Sequence, residues 1–148
     1  MTRHARVVLA PGLTLIDAVS RAMAELAWPS ATLQMLGGPL ARAVFTCSKL
    51  TPGGPRWIDY GPQRDLGSCW LALGNATFGT AMDGGPALHA HGILCDDAAR
   101  PVGGHLVPDL CRIGAQGIVA HAASTPGAGF RVIADGSGFN LLAPSLAA

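Results

Sequence analysis

The chain has 148 residues, of which 49 % are hydrophobic and only 13 % charged, with 20 glycines and 11 prolines. That length fits a single domain, residues 1–148, with a core of its own, and the glycine and proline content favours many turns over long helices. Ten basic and nine acidic residues leave a net charge of +1 with no basic run. This argues against a dedicated electrostatic nucleic-acid surface, and no stretch approaches the ~18 uninterrupted apolar residues of a membrane span.

Residues 3–9 read as a strand closed by Pro11-Gly12. Thr14 is placed to cap a helix, with Asp17 three residues on as a variant of the capping box. Leu15, Val19, Ala22, Met23 and Leu26 recur at spacings of three and four, so this helix buries one face against a sheet. It is expected to end near Trp28-Pro29, because a residue before proline disfavours the α region. Short β-like runs follow at 31–36, 40–48, 56–60, 69–77 and 87–94, each bounded by Gly/Pro turns. Asp96-Asp97-Ala98-Ala99-Arg100 makes a polar turn, and Val102-Gly103-Gly104 leads into another strand. A short helical piece is expected at 109–113, and strands at 117–123 and 130–134 close the sheet. One main amphipathic helix with many strands predicts an α+β fold, sandwich-like, with a mixed but largely antiparallel sheet.

The low charge predicts a surface partly covered in an oligomer. The opening Met1-Thr2-Arg3-His4 runs into a strand without the apolar centre of a secretory leader. The four cysteines, Cys47, Cys69, Cys95 and Cys111, form no CxxC and lie 16 to 26 apart. Both features fit a cytoplasmic protein with reduced, structural core cysteines.

Three of the five histidines fall within 17 positions: His89, His91 and His105. In a strand, residues two apart share a face with Cα atoms roughly 6.5–7 Å apart, so His89 and His91 can converge on one ion. A hairpin turn centred near Ala98 would place His105 opposite His91. Three imidazole nitrogens and a water make the ligand set of an open zinc site. The same residues also fit a plainer arrangement, two partly exposed strand histidines and a satisfied core one. Asp83 either hydrogen-bonds the second nitrogen of an imidazole, as metal sites require, or serves the Asp83-Gly84-Gly85-Pro86 turn. His121 reads as structural and His4 as a surface residue.

The HxH pair with Asp96 and Gly103 partly resembles the cupin pattern, but the motif spacing and the early helix are foreign to a jelly roll. A fuller match lies in Gly85-Pro86-Ala87-Leu88-His89-Ala90-His91 and Val102-Gly103-Gly104-His105-Leu106, preceded by Leu71-Ala72-Leu73-Gly74-Asn75. With Pro11-Gly12 and its helix, the strand 33–37, Asp135-Gly136 and Phe139-Asn140-Leu141-Leu142, these residues resemble the PPC (plants and prokaryotes conserved) domain, in its prokaryotic stand-alone form. The resemblance spans about residues 7–142. It implies a homotrimer with a largely antiparallel sheet, and it matches His89, His91 and His105 to a histidine cluster that holds a divalent metal, zinc in the first instance. A small-molecule ligand fits such a pocket, whether or not a reaction follows. Prokaryotic members also carry a provisional DNA-binding name, so the alternative is a DNA-associated or partner-binding module without catalysis. The Arg-Gly-Arg-Pro core of an AT-hook is absent from this chain.

Overall fold

The computed structural model describes residues 1–54, 56–136 and 138–146. Strand β1 (His4–Leu9) leads into helix α1 (Leu15–Glu25), followed by β2 (Ala31–Met35), β3 (Gly38–Thr46) and the short pair β4 (Ser48–Leu50) and β5 (Ile58–Tyr60). The long β6 (Arg64–Thr80) comes next, then β7 (Pro86–Cys95), β8 (Pro101–Leu106), β9 (Arg112–Ile113), β10 (Ile118–Ser124), β11 (Ala128–Ala134) and β12 (Asn140–Leu146). The main sheet runs β1-β10-β2-β6-β7-β8-β3-β9, and β11 and β12 join it through β6. Its pairings are antiparallel except for one parallel bridge, Arg131 to Thr80. A sheet-dominated fold with one short helix is what the strand-rich, turn-rich sequence requires.

The helix forms where the capping signals place it. Thr14 Oγ1 accepts from the Asp17 N–H at 3.2 Å and donates to Asp17 Oδ2 at 2.6 Å, satisfying an N–H that the first turn leaves without a partner. Leu15, Ala18, Val19, Ala22 and Met23 are buried. Fully burying a side chain such as Leu15, Val19 or Met23 contributes about 1.5–3 kcal/mol. The helix stops before the proline. Ala27 takes φ +53°, its N–H bonds the Ala24 carbonyl and the Trp28 N–H bonds the Met23 carbonyl. That is a Schellman ending with alanine where glycine is usual.

Several strands depart from expectation, β12 among them, since the sheet is expected to close at 130–134. Predicted at 69–77, β6 runs from Arg64 to Thr80 because both of its edges find partners: β3 and then β2 on one side, β7 along the other. The predicted helical piece at 109–113 is a single turn, in which the Leu110 and Cys111 N–H groups share the Val107 carbonyl. Arg112 and Ile113 then pair with Arg42 and Leu40 of β3 instead of continuing it. Strand β12 carries Pro144 and sits outside the main strand path, paired with β11 alone, which is where proline is tolerated.

Strands β3, β6, β7 and β8 pair in a closed cycle, since β3 bonds both β6 and β8. Phe45, Leu71, Leu94 and Leu106, one from each, are buried in the core. Cys111 is buried there too, its thiol donating to the Val44 carbonyl at 3.2 Å, and burial pushes the Cys69 thiol pKa up to about 11. Cys47 departs from the core expectation. It is exposed, and its thiol donates to the Gly103 carbonyl. All four cysteines are free. No helix among the described residues is long and apolar enough to cross a membrane.

Candidate metal centre

Along β7, Ala90, Gly92 and Leu94 are buried while His91 and Ile93 are exposed, so alternation carries His89 and His91 to the outer face together. The β7–β8 connection is a hairpin pinned by Asp96. Its Oδ1 accepts from the Ala98 and Arg100 N–H groups at 3.0 and 2.8 Å, and its Oδ2 accepts from Arg100 Nε at 2.8 Å. That turn sets the register, and His105 lies directly opposite His91. The two residues before it bring the strands close. A Cβ at Gly103 would run into the Gly92 carbonyl and one at Gly104 into the Thr46 carbonyl. Any larger residue at either position would push β8, and His105 with it, off its neighbours.

The ring centroids of His89 and His91 are 4.7 Å apart, those of His89 and His105 4.7 Å, and those of His91 and His105 5.3 Å. One ring nitrogen from each lies within 4.8 Å of the others. A tetrahedral ion with bonds of about 2.0–2.1 Å holds its nitrogens about 3.3 Å apart, inside that limit. The His105 Nδ1 atom is buried and has no hydrogen-bond partner among the described residues, a costly arrangement for a polar group unless something else meets it. Burial lowers the His105 pKa to about 4, and the neighbouring imidazoles His89 and His91 add to the effect. Burial, then His91, lowers that of His89. Both rings are therefore neutral near pH 7, with lone pairs free for a cation. The residues fit a divalent metal.

The other predicted residues fall elsewhere. Asp83 Oδ1 accepts from the Gly85 N–H at 2.9 Å within its own turn and bonds none of the three imidazoles. Asp96, the acid of the cupin comparison, is consumed by the hairpin and is no ligand. His121 is exposed rather than structural, facing Arg6 on one side and Gln34 on the other.

Several neighbours of the cluster escape linear reading. Register places Asn75 beside His91 and Thr77 beside His89, with Gln34 and Thr32 one strand further. Polar alternation in β2 and β6 was visible in the sequence, but not which strands are adjacent. The β4–β5 hairpin puts Tyr60 against His105 at 5.2 Å and against Phe139 at 5.6 Å, and the Arg56 guanidinium lies 4.3 Å over Phe139. These aromatics help wall a cavity of about 480 Å³ lined by Ile58, Tyr60, His89, Phe139 and Leu141. On the far side of His91 a shallower hollow of about 380 Å³ meets Gln34, Asn75 and Ile93.

A mostly antiparallel sheet with one short helix, and a histidine cluster on the β7–β8 hairpin, define a PPC-like fold. A PPC protein from Pyrococcus horikoshii superposes with a TM-score of 0.67 at 18 % identity, over 97 % of this chain and 91 % of that one. A Ralstonia eutropha protein provisionally named DNA-binding gives 0.71 at 20 %, over 96 % and 90 %. A metal-containing protein from Archaeoglobus fulgidus gives 0.70 at 15 %, over 97 % and 93 %. No family model and no curated protein matches the chain.

Proposed function

We propose that this is a stand-alone PPC-type domain, sandwich-like in its helix-on-sheet body, that assembles as a homotrimer in the cytoplasm. His89, His91 and His105 hold a divalent metal there, zinc in the first instance. The observation that carries the reading is three converging imidazoles on two paired strands, one with a buried, unpartnered nitrogen. The metal-containing structural neighbour supports it. Exposed Trp70, Leu73 and Ile93 on adjoining positions of β6 and β7 support assembly through that face.

His89, His91 and His105 would hold such an ion, and a divalent cation held there would supply Lewis acidity to an oxygen-bearing ligand. The chain's own part is to orient and desolvate. Neutral His89 and His105 offer their lone pairs, Tyr60 covers one side of His105, and the apolar cavity beside His89 takes the carbon body of a small oxygen-bearing ligand. Asp83 would contribute only by leaving its turn to orient an imidazole. The second reading, a DNA-associated or partner-binding module, draws on the names of the Ralstonia neighbour and of a Bacteroides thetaiotaomicron one.

Elemental analysis of the purified protein against a His89→Ala/His91→Ala variant tests the metal reading. About one zinc, nickel or iron per chain, absent from the variant, is expected. No metal in either sample after reconstitution would sink it and leave the binding-module reading.

A further inference from the structure

A cavity of about 650 Å³ lies away from the histidines, where the start of the chain, the α1–β2 connection, the end of β10 and the β11–β12 pair meet. None of its lining residues borders the cavity beside His89. Two of the three buried polar residues among those described, Ser30 and Ser124, belong to its wall. Buried hydroxyls in an apolar chain need a reason. Ser30 Oγ accepts from the Phe130 N–H at 3.0 Å and Ser124 Oγ from the Arg3 N–H at 2.9 Å. Each thus spends a lone pair on the backbone and keeps its O–H as a donor with no acceptor among the described residues. Thr125 Oγ1 is buried with no partner among the described residues.

The same wall carries Arg3 and Arg131 and no carboxylate. Elsewhere Arg21, Arg42, Arg56 and Arg100 each pair with an acid, while Arg6, Arg64 and Arg112 pair with none among the described residues. Arg3 and Arg131 pair with none among the described residues, and the Arg3 guanidinium lies 5.4 Å from the centre of the Trp28 ring. The cavity therefore offers two cations and two wall hydroxyls, Ser30 and Ser124, with donors to give, beside the apolar surfaces of Pro29, Phe130 and Leu146.

From this we infer a second ligand site, for a phosphorylated small molecule with an apolar or aromatic body. Two guanidiniums balance the charge of about −2 on a phosphate monoester. Its three free oxygens can use more donors than the two of a carboxylate. The volume leaves room for an organic group within the 300–1,000 Å³ usual for such sites.

Calorimetric titration of the metal-free protein with phenyl phosphate, and with inorganic phosphate for comparison, tests the site. Saturable binding of phenyl phosphate with a Kd below about 1 mM is expected, weaker for inorganic phosphate. Arg3→Gln and Arg131→Gln, both on exposed residues, should each weaken it about tenfold, the loss of one charge-assisted contact. The His89→Ala/His91→Ala variant should bind as the wild type does. Absence of saturable binding, full affinity in both arginine variants, or loss in the histidine variant would overturn the site. Displacement of phenyl phosphate by duplex DNA, with duplex binding itself lost in the arginine variants, would assign the phosphate to a nucleic-acid backbone and overturn the small-molecule assignment.

Discussion

Acidifying the metal-free protein should expose the strain that brings three imidazoles together. The His105 pKa stands at about 4 in the folded chain against 6.5 for an ordinary histidine, through burial first and then through His89 and His91. Its folded value is depressed, so between pH 6.5 and 4 the unfolded chain binds a proton that the folded chain refuses. Stability is then present above pH 6.5 and is lost as pH falls. Between pH 7.5 and 4.5 the linkage relation with these two values gives about 2.5 kcal/mol. His105 is only partly buried, and solvent screening reduces this to about 1 kcal/mol. Asp65 and Asp96 also have pKa values held low, by Arg42 and by the Arg100 N–H respectively, so a single acid titration mixes several groups. The informative measurement is a difference: urea unfolding of wild type and of His105→Gln at both pH values, without metal. The wild type should lose about 1 kcal/mol more than the variant. Equal losses in the two proteins would refute the claim that His105 is held neutral against its own proton affinity.

Three further outcomes follow from the same geometry. Gly104→Ala drives a Cβ at the Thr46 carbonyl, and it should cost about 2–4 kcal/mol in urea unfolding and weaken the proposed divalent-metal binding by displacing His105. Ala27→Gly relieves an alanine held at φ +53° and should raise stability by about 0.5–1 kcal/mol, read as an upward shift in the urea midpoint. Ile93→Asp puts a charge among the exposed apolar residues of β6 and β7 and, on the proposed homotrimer, should shift the sedimentation coefficient toward that of a monomer. An unchanged coefficient would place the assembly surface elsewhere.

Local chemistry was legible wherever neighbours in the chain decide the outcome. Thr14 and Asp17 announce the helix start, the apolar spacing from Leu15 to Leu26 announces its buried face, and period two along 87–94 puts His89 and His91 on one side. Even the His91–His105 pairing follows from counting outward from Ala98, because a short hairpin transmits its register directly. Where a partner strand far along the chain decides, the linear reading falls short. The length of β6 depends on β2, β3 and β7 all finding its edges, and residues 112–113 become strand only because β3 accepts them. Non-local pairing also sets Asn75 beside His91, brings Tyr60 over His105, and gathers Arg3, Ser30, Ser124 and Arg131 around one cavity from three distant segments. Spacing along the chain encodes which side chains share a face. Which faces meet is settled by long-range hydrogen-bond pairing and burial, and these depend on the whole chain at once.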